Sequence, residues 1–222
     1  MTDMLNLPRA GQYGCILADP AWRFETFSAA GRGRCPDGAR TNSNGNFIDG
    51  ANNRPERHYQ TMTLDEIKAL PVGGLAARDC VLMLWAVDSM LPQALAVGAA
   101  WGFTFKTVGF YWAKTRRADS TRGKDLDDQY EKMFPMGTGY WTRANPEPCL
   151  LFSRGKPKRI SAGVRKLIVA PRREHSRKPD EQYERIEKLV AGPYVELFAR
   201  QRRDGWDAFG NEVGKFDQKE AA

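Results

Sequence analysis

The sequence predicts a doubly wound α/β sheet with mostly parallel strands. Short apolar runs alternate with stretches of helical period along most of the chain. Several of those runs are apolar at nearly every position, as in strands covered on both faces. The helical stretches between them carry their own start and stop signals.

The expected strands are Gly14–Ala18, Cys80–Ala86, Phe105–Trp112, Pro148–Ser153, Leu167–Ala170 and Tyr194–Ala199. A first helix starts at Thr63, which stands three residues before Glu66 in capping-box spacing, and runs to about Leu70. A second follows Asp88, with Leu91 and Leu95 on one face, and stops near Gly102. A third opens at Pro179 with Asp180 and Glu181 in its first turn. Its apolar face is Tyr183, Ile186, Leu189 and Val190, and Gly192-Pro193 ends it. Two long stretches, 25–57 and 115–138, have no period and each follows a strand end. Loops of that length in a compact domain are expected to face substrate. The organisation expected is one domain over residues 1–215 carrying both loops, then a polar tail over 216–222.

Composition narrows the function. The chain has 222 residues, of which 41% are hydrophobic, enough for a real core. No apolar run reaches transmembrane length, and Met1–Arg9 has no signal-peptide pattern, so a cytoplasmic protein without a membrane partner is expected. The four cysteines are far apart, there are two histidines, and no metal site is expected. Cys15, Cys80 and Cys149 lie in apolar runs and read as core thiols. The net charge is +7, yet residues 153–178 alone carry ten Lys/Arg against one acid. Such a basic concentration points to a polyanion, and nucleic acid is the expected partner. Gly-rich phosphate loops are missing from the sequence, which argues against dinucleotide oxidoreductases and nucleotide hydrolases.

The most informative residues follow the first strand: Asp19-Pro20-Ala21-Trp22. An acid and a proline that stop a buried strand stand at the carboxyl edge, where open α/β sheets bind ligands. A carboxylate, a backbone carbonyl and an aromatic ring suit a flat base with an exocyclic amine. Four further blocks stand in order: Arg57–Met62; Gly137–Arg143 with Glu147; Ser176–Glu181; and Glu196–Arg200, followed by Gly205-Trp206-Asp207 and Gly210-Asn211-Glu212.

Together these blocks resemble the MT-A70-like family of adenine-N6 methyltransferases, typified by the catalytic subunit of the eukaryotic messenger-RNA methyltransferase and with bacterial and phage members. The resemblance runs from about Tyr13 to Val213. It implies a Rossmann-like fold of permuted order and S-adenosylmethionine as cofactor. By the same resemblance Asp19 and the Pro20 carbonyl accept the hydrogens of the adenine amine, and Trp22 packs near the base. Asp19, Lys178, Glu196, Phe198, Arg200, Asn211 and Glu212 face the cofactor, with Lys178 on its carboxylate. Tyr59, Lys114, Arg143 and Glu147 face the substrate. One position departs from the family signature, Ala21 standing for its second proline, and activity is expected to survive that change.

The expected activity is methyl transfer to adenine N6 in nucleic acid, with DNA ahead of RNA. A catalytically inactive nucleic-acid-binding relative and a cytosine-N4 enzyme are the alternatives. A homodimer or a partner subunit is compatible with the sequence.

Overall fold

The computed structural model describes residues 2–22, 40–41, 47–48, 61–116, 126–137, 141–173 and 177–217. The strands are β1 (Tyr13–Ala18), β2 (Arg40–Thr41), β3 (Phe47–Ile48), β4 (Ala76–Trp85), β5 (Thr104–Thr115), β6 (Glu147–Arg154), β7 (Leu167–Pro171), β8 (Tyr194–Leu197) and β9 (Trp206–Phe209). The helices are α1 (Leu64–Lys68), α2 (Leu91–Ala100), α3 (Leu126–Met133) and α4 (Glu181–Leu189).

Seven strands form one sheet in the order β7-β5-β6-β4-β1-β8-β9, and β2 pairs with β3 apart from it. β1 is parallel to β4 and β8, β8 to β9, and β5 to β7. Only β6 runs against its neighbours β4 and β5. The mostly parallel, Rossmann-like sheet expected from the apolar runs is therefore present, with β6 as its reversed strand.

Alternation along the central strands sorts two cores. Ile16, Ala18, Leu82 and Leu84 pack with Ile67 of α1 and with Ala94 and Val97 of α2. Cys15, Leu17, Val81 and Met83 turn the other way and meet Tyr183 and Ile186 of α4. Cys15, Cys80 and Cys149 are buried thiols.

α1 begins as expected: Thr63 accepts from the Glu66 backbone, and the Glu66 carboxylate accepts from the Thr63 backbone. α2 differs in its buried face. Ala94, Val97 and Gly98 turn inward, while Leu95 is 39% exposed. The small face is needed because Phe152 lies directly beneath; a Cβ on Gly98 would stand 2.3 Å from its ring. α3 falls inside the stretch 115–138 expected to lack structure, and β9 was not among the expected strands.

Because β6 runs backwards, Glu147 stands beside Trp112, and Cys149 beside Trp85, at the same sheet edge as Asp19, and Arg154 stands beside Cys80 on the far edge. β7 then climbs back, ending at Pro171 beside Thr115. The basic segment 153–178 is consequently split. Arg154, Lys156, Lys158 and Arg159 lie at the far edge, and Arg172, Arg173, Arg177 and Lys178 reach the Asp19 edge. The single patch suggested by sequence proximity is two separate surfaces.

Candidate active site

β1 delivers Asp19 at its carboxyl end, half-buried. The turn after it is tight. The Trp22 backbone N–H donates to the Pro20 carbonyl at 2.8 Å, and Met62 N–H donates to the Ala21 carbonyl at 3.0 Å. The Trp22 indole N–H donates to the Trp85 carbonyl at 3.2 Å. These bonds stiffen a turn that lacks the second proline of the family signature. Trp22 itself is 4% exposed and packed in the core, where it anchors the turn. The Pro20 carbonyl keeps a second lone pair beside its bond to Trp22.

Asp19 ends a ladder of alternating charges. Lys178 Nζ lies 2.8 Å from Asp19 Oδ2 and 2.7 Å from Glu147 Oε1. The other Glu147 oxygen, Oε2, lies 2.7 Å from Lys114 Nζ, and Arg200 approaches Asp19 Oδ2 at 3.7 Å. Glu147 and Lys178 are each 8% exposed. Lys178 also sits 5.5 Å from the centre of the Trp85 ring. Burial pushes the Glu147 carboxyl up, but Lys178 and Lys114 outweigh it and hold it below its ordinary value. Burial pulls the Lys178 ammonium down, and Asp19 and Glu147 more than reverse this, raising it. Both groups are thus held charged in the interior, which pairing on every side makes tolerable. Glu147 was expected at the substrate; the structure gives it to two lysines as a brace. Lys114 holds its other end, with its ammonium 5.2 Å from the Trp112 ring.

A cleft opens beside this ladder, lined by Asp19, Lys178, Glu196, Phe198 and Arg200. Residues from three separate stretches of the sequence thus share one cavity. Phe198 occupies the left-handed region at φ 61°, unusual for a side chain of this size, at the end of β8. Glu196 accepts from the Tyr183 hydroxyl at 2.9 Å. Burial pushes its carboxyl up to about 7, helped by the nearby Asp19 and opposed by the Tyr183 bond. Asn211 is exposed and Glu212 is paired with Lys215; neither lines the cleft.

The cleft has further walls to which motif reading gave no role: Arg177, Gln201 and Phe216. Arg177 donates to the Gln201 side chain, and Gln201 donates to Tyr183 Oη at 3.1 Å and Asp180 Oδ1 at 3.2 Å. Gln201 follows the Glu196–Arg200 block directly, and that adjacency was the available signal.

The loop between α3 and β6 carries Trp141 and Arg143, both exposed, Trp141 at 93% with φ 67°. A Tyr-Trp pair in sequence suggests core packing, and for Trp141 the structure shows the reverse. Asn145 fastens this loop to β5. Its carboxamide accepts from Lys114 N–H at 3.0 Å and donates to the carbonyls of Lys114 at 2.8 Å and Pro135 at 2.9 Å. Tyr59 lies outside the described residues. Among the described residues no group of His, Cys, Asp or Glu is arranged to hold a metal ion, and no helix is long and apolar enough to cross a membrane.

A Rossmann-like sheet with Asp-Pro-x-Trp at its carboxyl edge, beside a cleft of carboxylates and cations, defines an adenine-N6 methyltransferase. The chain belongs to the MT-A70 family, which matches residues 13–212. It is 30% identical over 211 residues to the type II methyltransferase M.MunI of Mycoplasma sp., covering 94% of this chain and 80% of that one. The human N(6)-adenosine-methyltransferase catalytic subunit METTL3 is 30% identical over 94% of this chain, which spans 30% of its length. The Drosophila melanogaster N(6)-adenosine-methyltransferase MT-A70-like protein is 31% identical over 94% of this chain, which spans 28% of its length.

Proposed function

We propose that this enzyme transfers a methyl group from S-adenosylmethionine to the N6 amine of adenine in DNA. The observation that carries the reading is Asp19, presented at the sheet edge with one oxygen bound by Lys178 and one cleft running from it to Glu196. The side chains lining that cleft fit this cofactor. Glu196 is an acceptor for a ribose diol, cations stand at the Asp19 end for an amino-acid carboxylate, and Phe198 adds apolar surface. When bound, S-adenosylmethionine supplies an electrophilic methyl group.

The chain's own residues prepare the amine. Its lone pair is delocalised into the adenine ring. Lys178 and Arg200 both address Asp19 Oδ2, so Oδ1 is the oxygen that accepts one amine hydrogen. The Pro20 carbonyl accepts the other through its remaining lone pair. Two acceptors favour a tetrahedral nitrogen and free the lone pair for in-line attack. Asp19 would take up the surplus amine proton as the nitrogen is methylated, and release it to water. Preorganised electrostatics of this kind need no reorganisation during the step. A target base within a duplex must first leave the stack, and Trp141 and Arg143 are exposed on a loop that Asn145 fastens beside Lys114.

DNA is assigned because a type II methyltransferase shares most of its own length with this chain, whereas the N(6)-adenosine-methyltransferases share under a third of theirs. The test is incubation with labelled S-adenosylmethionine and either polymer, with Asp19→Ala as control, and mass spectrometry of the digested nucleosides. Methylated deoxyadenosine from the wild type alone is expected. Product on RNA alone would move the assignment to that polymer, and N4-methylcytosine would overturn the choice of base.

A further inference from the structure

β6 starts its ladder with β5 at Glu147, which stands opposite Trp112. Continued outward, the same antiparallel register sets Asn145 opposite Lys114. The pairing does continue there, but through a side chain. Asn145 Oδ1 accepts from the Lys114 backbone N–H at 3.0 Å, and Nδ2 donates to the Lys114 carbonyl at 2.8 Å. A carboxamide offers the acceptor and the donor of a peptide unit. This one makes the exchange that an antiparallel partner's backbone would make. Its second N–H reaches the Pro135 carbonyl at 2.9 Å. Close by, the Gly137 N–H donates to the Ala144 carbonyl at 2.6 Å, and a Cβ on Gly137 would stand 2.6 Å from that oxygen. Residues 135–137 and 144–145 thus close together at the end of β5, tied by one side chain.

What Asn145 holds bears on the reaction at two points. The Lys114 backbone that it grips carries the ammonium bracing Glu147 at 2.7 Å, and Glu147 leads through Lys178 to Asp19. Trp141 and Arg143 are exposed on the loop that it closes. β6 is two strands from β1 in the sheet, so at about 4.8 Å per strand the base of this loop stands on the order of 10 Å from the end of β1. A misplacement of about 1 Å can cost a methyl transfer as much as 100-fold. Resting on the DNA reading above, we infer that Asn145 is a positioning residue. It locks the loop that contacts DNA onto the strand that braces the Asp19 ladder, and so fixes the separation between DNA contact and methyl transfer. It lies outside the cleft that Asp19 and Glu196 line, and acts only through the loop.

Steady-state kinetics on a DNA duplex, with calorimetry of S-adenosylhomocysteine alongside, test this. Asn145→Ala removes all three bonds and is expected to raise KM for DNA about tenfold or more. Affinity for S-adenosylhomocysteine should stay within about twofold of the wild type. Asn145→Asp keeps the shape and the acceptor but loses both donations, and should behave like the alanine variant. Partial unfolding would read differently, lowering kcat with the inactive fraction and leaving KM unchanged. A double-mutant cycle isolates the route. With Trp141→Ala and Arg143→Ala already in place, Asn145→Ala should change KM for DNA by at most about twofold, because the contacts it positions are gone. Wild-type KM in folded Asn145→Ala, equal loss of DNA and cofactor affinity, or an undiminished effect in the Trp141/Arg143 background would each overturn the inference. A wild type that methylates no DNA at all would sink the DNA reading and this inference with it.

Discussion

Glu147 has an ammonium group at 2.7 Å on each of its oxygens and is almost wholly shielded from water. Removing one partner from such a cluster leaves a buried charge uncompensated, which costs roughly 3–5 kcal/mol. Lys178→Met, which takes the nearest cation from Asp19 and leaves Glu147 with Lys114 alone, should therefore cost about that much in chemical denaturation. The pH dependence follows from the direction of the shift. The folded Glu147 ionises below its ordinary value, so its stabilising contribution is complete above the unfolded value of roughly 4.3. That contribution is lost as pH falls through the folded value. Glu147→Gln should accordingly flatten the fall of Tm on acidification, together with a lower Tm near neutrality. Glu196 goes the other way. Its carboxyl is pushed up to about 7, so it gains its charge as pH rises through that region. A carboxylate accepts from ribose hydroxyls better than a carboxylic acid does. The affinity for S-adenosylhomocysteine should rise across neutrality, and Glu196→Gln should abolish that rise in calorimetric titrations at stepped pH. Asp19, Lys178 and Glu196 were legible because each sits in a short block whose residue types state their chemistry. The burial of Trp22 was not, because nothing in Asp-Pro-Ala-Trp says which way the indole turns. Asn145 was illegible for a similar reason: its three bonds go to Lys114 and Pro135, and no local pattern couples those positions.

At the scale of elements, periodicity and capping located β1, β4, β5, β6, β7 and β8 to within a few residues, and α1 together with its cap. Those are the segments in which local preference and tertiary demand agree. The failures have physical causes. α2 is a short run of mainly Ala, Leu and Val, so a period search finds the larger Leu91 and Leu95 and misses a buried face of Ala94, Val97 and Gly98. That face was chosen by the bulk opposite it. Two effects compete at Gly98. Alanine would gain about 1 kcal/mol of helix propensity. Its Cβ would meet three atoms of the Phe152 ring between 2.3 and 2.7 Å, and Phe152 is 1% exposed. Overpacking costs typically 1–3 kcal/mol, so the clash wins. Gly98→Ala should lower stability by on the order of 1 kcal/mol in a urea melt, and an increase would refute the close packing of α2 on β6. β9 was missed because Trp-Asp-Ala-Phe is four residues long with two polar or small positions. It is a strand by virtue of β8 beside it and of Asp207, which accepts from the Tyr13 hydroxyl at 2.7 Å.

Across the whole molecule, one reversed strand decides what the charge distribution means. Counted along the sequence, residues 153–178 look like one basic surface aimed at nucleic acid. β6 carries the chain from the Asp19 edge to the far edge, and β7 with the segment after it brings it back. The span of a strand separates the two halves, at about 3.3 Å per residue. That is well beyond a screening length of roughly 8 Å at physiological salt. A strand whose adenine occupies the Asp19 edge is therefore insulated from the far-edge cations. It is expected to feel Arg172 and Arg143, which are exposed on the near side. Charge reversal separates the two halves. Arg143→Glu with Arg172→Glu should weaken DNA binding by at least tenfold and shallow the salt slope by about one for each phosphate left without its cation. Lys156→Glu with Lys158→Glu changes the net charge by the same amount at the far edge. Affinity and slope should then stay within about twofold of the wild type in fluorescence anisotropy across a salt series. Equal weakening by both pairs would mean that net charge alone holds the nucleic acid. Weakening confined to the far-edge pair would put the polymer on the wrong side of the sheet for Asp19 to reach its base.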